Sequence, residues 1–126
     1  MDFFIMQRIL IVEDDRINLT FFRDVLRSQG YDTIEASNGV EGVKAAVNER
    51  PSLILMDVQL PEMNGTQAVQ RLKSNPATQH IPVVALTGYV VPGGRERLLA
   101  KGFDDYLSKP IGIDDLLEKV TGWLGQ

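Results

Sequence analysis

The sequence predicts an α/β domain, a five-stranded parallel sheet covered by helices on both faces in a doubly wound arrangement. Three observations predict it. Short, nearly continuous apolar runs such as Ile9-Leu10-Ile11-Val12 and Leu53-Ile54-Leu55-Met56 read as strands buried on both faces. Segments with apolar residues at helical spacing separate these runs, so strand and helix alternate five times. The connections are short and rich in Gly and Pro. At 126 residues the chain is one ordinary domain with room for a sizeable core.

The elements run in this order. Ile9 to Val12 is the first strand. Leu19, Phe22 and Leu26 mark the first helix, with Phe21 and Val25 beside them and Gly30 as its C-terminal cap. Thr33-Ile34-Glu35-Ala36 alternates as a half-exposed edge strand does. Val40, Val43 and Val47 mark a second helix that ends before Pro51. Leu53 to Met56 is the third strand, and Ala68, Val69 and Leu72 lie on the third helix. Pro82 opens the strand Val83-Val84-Ala85-Leu86. A Gly- and Pro-bearing stretch from Gly88 to Gly94 leads into a fourth helix holding Leu98 and Leu99, capped by Gly102. Asp105-Tyr106-Leu107-Ser108 is a short fifth strand. Ile113, Leu116, Leu117, Val120 and Leu124 form the apolar stripe of the last helix.

Composition excludes several function classes. The net charge of −4 lacks the basic footprint that direct nucleic-acid binding needs. The absence of cysteine rules out disulfides and thiolate metal sites and suits a reducing, cytoplasmic compartment. No apolar run approaches the roughly 20 residues of a membrane span, so no membrane insertion is expected. The opening residues MDFFIM lack a positively charged segment and read as an overhang over residues 1–7, not a signal peptide.

In open sheets of this kind ligands bind beyond the carboxyl ends of the strands. The first strand delivers Glu13-Asp14-Asp15 there, the third Asp57, the fourth Thr87, and the fifth Lys109 followed by Pro110. Carboxylates gathered within a few ångströms repel one another unless a cation sits among them. Mg²⁺ suits such a set, because it takes one or two carboxylates, waters and a phosphate oxygen. An aspartate beside a divalent ion and a lysine is a plausible nucleophile toward phosphorus. The metal, the lysine and a hydroxyl then neutralise the oxygens of a transferred phosphoryl group.

The motifs ILIVEDD, LILMDVQLPEMNG, VVALTG and DDYLSKPI, in this order and spacing, resemble those of receiver domains of two-component response regulators. The resemblance covers residues 8 to about 124, and a receiver domain is expected over residues 8–126. It implies a flavodoxin-like three-layer sandwich with strand order 2-1-3-4-5. It implies Asp57 as phosphoacceptor, with Thr87 and Lys109 contacting the phosphoryl group. Asp14, Asp57 and the backbone carbonyl of Gln59 are implied ligands of Mg²⁺, with Glu13 acting indirectly. Thr87 and Tyr106 are implied switch residues, Gln59 and Tyr89 flank the phosphoryl group and tune its lifetime, and a cis bond precedes Pro110. The implied donor is a sensor histidine kinase or a histidine phosphotransfer protein. A downstream protein target is expected on the face built from the fourth helix, fifth strand and fifth helix. Such a protein is not a classical enzyme, although it catalyses its own phosphorylation and slow dephosphorylation.

Each residue also has a plainer reading. Acids suit a helix N-terminus, and Asp15, which the motif alignment leaves over, is read that way. A lone lysine is by default solvated and a lone tyrosine core. His80, the only histidine, lies in a polar segment away from the acids and reads as a surface residue. Rival functions fare less well. A haloacid-dehalogenase-like phosphatase wants a second acid two residues after the nucleophile, where this chain has Gln59. An FMN protein wants a phosphate loop after the first strand, where EDDRIN would repel phosphate. A degenerate receiver would lack site residues that are all present here. A receiver module from a hybrid histidine kinase stays open beside a stand-alone regulator.

Overall fold

The computed structural model describes residues 6–88 and 92–125. Ten elements alternate strictly: β1 (Arg8–Val12), α1 (Arg16–Ser28), β2 (Asp32–Ala36), α2 (Gly39–Glu49), β3 (Leu53–Asp57), α3 (Gly65–Lys73), β4 (Val83–Thr87), α4 (Gly94–Lys101), β5 (Asp105–Ser108) and α5 (Ile113–Leu124). All strand pairs are parallel, in the order β2-β1-β3-β4-β5, as the resemblance implied. The order reverses between β1 and β3, and this places a crevice above their carboxyl ends.

Alternation along the strands sorts the core into two layers. Ile9, Ile11, Leu53, Leu55, Val84 and Leu86 face α1 and α5, meeting Leu19, Phe22, Leu26, Leu116 and Val120. Leu10, Val12, Ile54, Met56, Val83 and Ala85 face the other way, meeting Ala46, Ala68, Val69, Leu72 and Leu98. Every residue of β3 and β4 is buried, which explains why these strands read as unbroken apolar runs. No helix among the described residues is long and apolar enough to cross a membrane.

Local signals account for most boundaries. Asp15 caps α1, its side chain accepting from the Asn18 N–H at 3.0 Å. Gly30 follows α1 at φ 90°, a left-handed position that favours glycine. α4 starts at Gly94, and residues 90 and 91 of the preceding stretch lie outside the described residues, as do Phe3, Phe4 and Ile5.

Three patterns depart from the sequence reading. The buried residues of α2 are Gly39, Gly42 and Ala46, while Val40 is exposed. Small residues are needed there because α2 lies so close to β1 that a β-carbon at Gly42 would stand 2.9 Å from the Val12 methyls. In β2, Thr33 is buried, and its hydroxyl accepts from Arg27 Nε at 2.8 Å, so its polarity is satisfied within the layer. Ile113 begins α5 50% exposed, outside the apolar stripe that Leu116 and Val120 form.

Candidate functional site

The carboxyl ends of β1, β3, β4 and β5 converge on one cleft. Backbone hydrogen bonds hold these ends level. Val58 N donates to the Leu86 carbonyl at 3.0 Å, and Lys109 N donates to the Thr87 carbonyl at 2.7 Å. The Lys109–Pro110 peptide bond is cis. An open cleft of about 1130 Å³ is lined by Asp14, Asp57, Gln59, Thr87 and Lys109, together with Asp15 and Asn18. Glu13 lies beneath it, fully buried.

A single ammonium organises the acids. Lys109 Nζ donates to Asp57 Oδ2 at 2.7 Å and to Glu13 Oε1 at 2.8 Å. The other oxygen of Asp57, Oδ1, accepts from the Gln59 N–H at 2.9 Å. Burial and, next, hydrogen bonding to Asp57 push the Glu13 carboxyl up to about 7, against the downward pull of Lys109. Partial burial works against the charge of Lys109, yet its bonds to Asp57 and Glu13 hold it above its ordinary value.

These observations test the fit of a divalent cation. Carboxylate oxygens of Glu13, Asp14 and Asp57 lie within 4.8 Å of one another. Lys109 bonds two of these three carboxyl groups, Glu13 and Asp57, and burial beside Asp57 leaves Glu13 with a raised proton affinity. The donors are all hard oxygens, which suit Mg²⁺ rather than a soft transition metal. The residues present therefore fit such an ion.

The expected site residues are not all in one place. Glu13, Asp14, Asp57, Gln59, Thr87 and Lys109 come together. Thr87 is buried at the end of β4. Tyr106 does not reach this cleft. It pairs in register with Ala85 on β4 and lines a second groove of about 710 Å³ between α4 and α5, with Arg95, Glu118, Lys119 and Trp123. Trp123 is 40% exposed there, and its indole N–H donates to Asp105 Oδ2 at 3.0 Å. Lys119 donates to the other oxygen of the same carboxylate at 3.0 Å, so β5 and α5 are clasped together. Tyr89 lies outside the described residues. His80 is exposed.

The residues missed from sequence are those that hold the cleft's wall. α3 begins with a capping box, in which Gln67 N donates to Asn64 Oδ1 at 2.9 Å and Asn64 N to Gln67 Oε1 at 3.1 Å. α2 has the same asparagine cap, with Glu41 N donating to Asn38 Oδ1 at 2.8 Å, but its Glu41 carboxylate accepts from Ser37 rather than closing the box. The signal is legible, since Asn38-Gly39-Val40-Glu41 repeats as Asn64-Gly65-Thr66-Gln67.

Residues 9–121 match the response regulator receiver domain family. This chain is a receiver domain of that family. It is 41% identical over 117 residues to the polar-differentiation response regulator DivK of Brucella anthropi, covering 93% of this chain and 95% of DivK. Among solved structures it superposes on the receiver domain of a sensor histidine kinase from Pseudomonas aeruginosa PAO1, with TM-score 0.88 and 34% identity, over 97% of this chain and all of the other. That receiver has a magnesium ion coordinated in its active-site cleft. The chemotaxis response regulator CheY4 of Vibrio cholerae matches with TM-score 0.89 and 25% identity, over 94% and 99% of the two chains. Receiver domains are signalling switches of two-component systems that interact with histidine kinases and downstream targets, not classical enzymes.

The ion balance makes a prediction. Glu13 holds its proton more tightly folded, at about 7, than at its ordinary 4.5. The folded state therefore binds the extra proton between these values, and stability falls as pH rises from about 4.5 to 7. Lys109→Met removes the remaining compensation. Without divalent ions it should cost about 2 kcal/mol at pH 8, less than breaking a fully buried pair because the lysine side chain is 23% exposed. By pH 5, where Glu13 is protonated, the deficit should shrink. Denaturant melts of both proteins at the two pH values check it, and a deficit that grows on acidification would contradict it.

Proposed function

We propose that this receiver domain is switched by phosphorylation of Asp57, with a phosphohistidine of a sensor histidine kinase or histidine phosphotransfer protein as donor. The carrying observation is the Asp57 carboxylate at the end of β3, held between the Lys109 ammonium at 2.7 Å and the Gln59 N–H at 2.9 Å and open to a cleft. These contacts fix the carboxylate in one orientation without covering the cleft side.

An oxygen of Asp57 attacks phosphorus as the P–N bond of the donor breaks. The bonding pair leaves on the imidazole nitrogen, which takes a proton, and an acyl phosphate remains on Asp57. Lys109 turns its ammonium from the carboxylate oxygen to a phosphoryl oxygen, and the Thr87 hydroxyl donates to another. Asp14, Asp57 and the Gln59 carbonyl would hold Mg²⁺, with Glu13 acting indirectly; when bound, the ion supplies positive charge beside the developing phosphoryl oxygens. The magnesium in the Pseudomonas receiver's cleft supports this choice of ion. Gln59, exposed at the cleft, governs how water approaches the acyl phosphate, and with it the slow self-catalysed dephosphorylation.

The output reading rests on the sheet. Phosphate brings roughly two negative charges and new acceptors to the strand edge. Thr87 lies two residues beyond Ala85, the register partner of Tyr106, so all three share a face of the sheet. Movement of Thr87 toward phosphate changes the space beside Tyr106 and so the groove between α4 and α5. A downstream protein that reads this groove is favoured by its differential affinity for the two states, typically about 1–3 kcal/mol. A cytoplasmic location accompanies this reading, which holds equally for a stand-alone regulator such as DivK and for a receiver within a hybrid kinase.

Two outcomes are expected. Acetyl phosphate or a phosphohistidine donor with Mg²⁺ should add one phosphate to the protein by intact-mass spectrometry, and none to Asp57→Asn; equal labelling of that variant would displace the site. In the labelled protein, amide NMR shifts should change at Thr87, Tyr106 and α4 as well as near Asp57. Shifts confined to the loops around Asp14 and Asp57 would refute the coupling to the groove.

A further inference from the structure

The two helices beside the loop after β3 start in the same way, and each places a glycine immediately after its asparagine cap. Gly39 and Gly65 are both buried. Neither has a positive φ, so neither is there for backbone freedom. The reason is space. A β-carbon at Gly39 would overlap the Met63 carbonyl oxygen and stand 2.7 Å from the Met63 carbonyl carbon. A β-carbon at Gly65 would overlap the Asp57 carbonyl oxygen and stand 2.8 Å from Val58 Cα. These obstacles are backbone, and backbone has no rotamer to escape into. Gly42, one turn further along α2, meets only Val12 side-chain carbons, and Gly122 on α5 meets nothing.

The loop from Val58 to Asn64 is therefore gripped twice. At its start the Gly65 N–H donates to the Val58 carbonyl at 2.9 Å. Near its end Met63 abuts the first turn of α2, which the Asn38 and Glu41 side chains brace. Ser37 Oγ donates to Glu41 Oε2 at 2.8 Å and strengthens that brace. Between the two grips lies Gln59, whose N–H orients Asp57.

We infer that Gly39 is a positioning residue for the chemistry at Asp57. The start of α2 is a backbone stop against Met63, and it fixes the loop that presents Gln59 to the Asp57 carboxylate. The inference rests on the reading of Asp57 as phosphoacceptor. Gly39→Ala, a change that favours a helix in isolation, pushes Met63 outward and shifts the loop. Displacements of this size typically cost one to two orders of magnitude in rate.

The experiment compares the parent, Gly39→Ala and Leu26→Ala. Leu26 is buried on the opposite layer and reports on stability alone. Three quantities are read: amide NMR shifts of residues 58–65 without metal, the Mg²⁺ dissociation constant, and the rate of Asp57 labelling by acetyl phosphate. Gly39→Ala should shift those amides, weaken Mg²⁺ binding and slow labelling about tenfold. Leu26→Ala should lower the melting temperature and leave all three unchanged. Should Gly39→Ala not fold, Asn38→Ala loosens the same turn without adding bulk. It removes the acceptor of the Glu41 N–H, so it should speed amide exchange at Glu41 and slow labelling by less than Gly39→Ala does. A parent that labels on Asp57 beside a Gly39→Ala or Asn38→Ala protein that labels at the same rate overturns the inference. So does a Leu26→Ala protein slowed as much as Gly39→Ala. A parent that does not label at all counts against the assigned function instead, and the amide and Mg²⁺ readings then decide the role of Gly39.

Discussion

The bridge from Lys109 to Asp57 and Glu13 is the interaction on which the rest depends. Two carboxyl groups, one fully buried and one 7% exposed, stand at the end of a sheet whose central strand β3 is otherwise apolar. Without a counter-charge this arrangement is costly, because burial raises the energy of every unpaired carboxylate. The ammonium reaches both from β5, two strands away from β3 and three from β1. The distance is bridged only because all four strands end level. Parallel register, rather than any local motif, is what brings residues 13, 57 and 109 together.

The same bridge leaves the site incomplete. One lysine serves the acids, and Glu13, buried beside Asp57, keeps a raised proton affinity in spite of it. A site with such a deficit attracts a further cation, and its open cleft admits one. The fold thus stores part of its affinity for the ion in unfavourable charge, which tight packing elsewhere supports. The close backbone approaches at Gly39 and Gly65 belong to that support, since they hold the loop at the cleft without committing a side chain to it.

Much of this is legible in the sequence. The strands β3 and β4 are buried on both faces, so they show as plain apolar runs, and Asp57 and Thr87 stand at the ends of those runs. Asp15 reads as a cap from its place before a helical pattern. Packing by absence cannot be read this way. α2 buries Gly39, Gly42 and Ala46, and the apolar valines that mark the helix by eye include one, Val40, that faces outward. Sequence periodicity weights large apolar residues, and a helix pressed this close to the sheet must leave them out. The apolar pattern places Tyr106 on β5, but its position in a separate groove depends on the Asp105, Lys119 and Trp123 clasp, which joins residues 18 apart at its widest and has no local signature.

The central claim is that the cleft lacks positive charge until a divalent ion joins Lys109. The most direct measurement is the titration of the Glu13 side-chain carboxyl by carbon-detected NMR, without divalent ions and with saturating Mg²⁺. The account predicts a midpoint of about 7 without the ion and a clear fall when Mg²⁺ is present. A Glu13 that titrates near 4.5 in both conditions would contradict it.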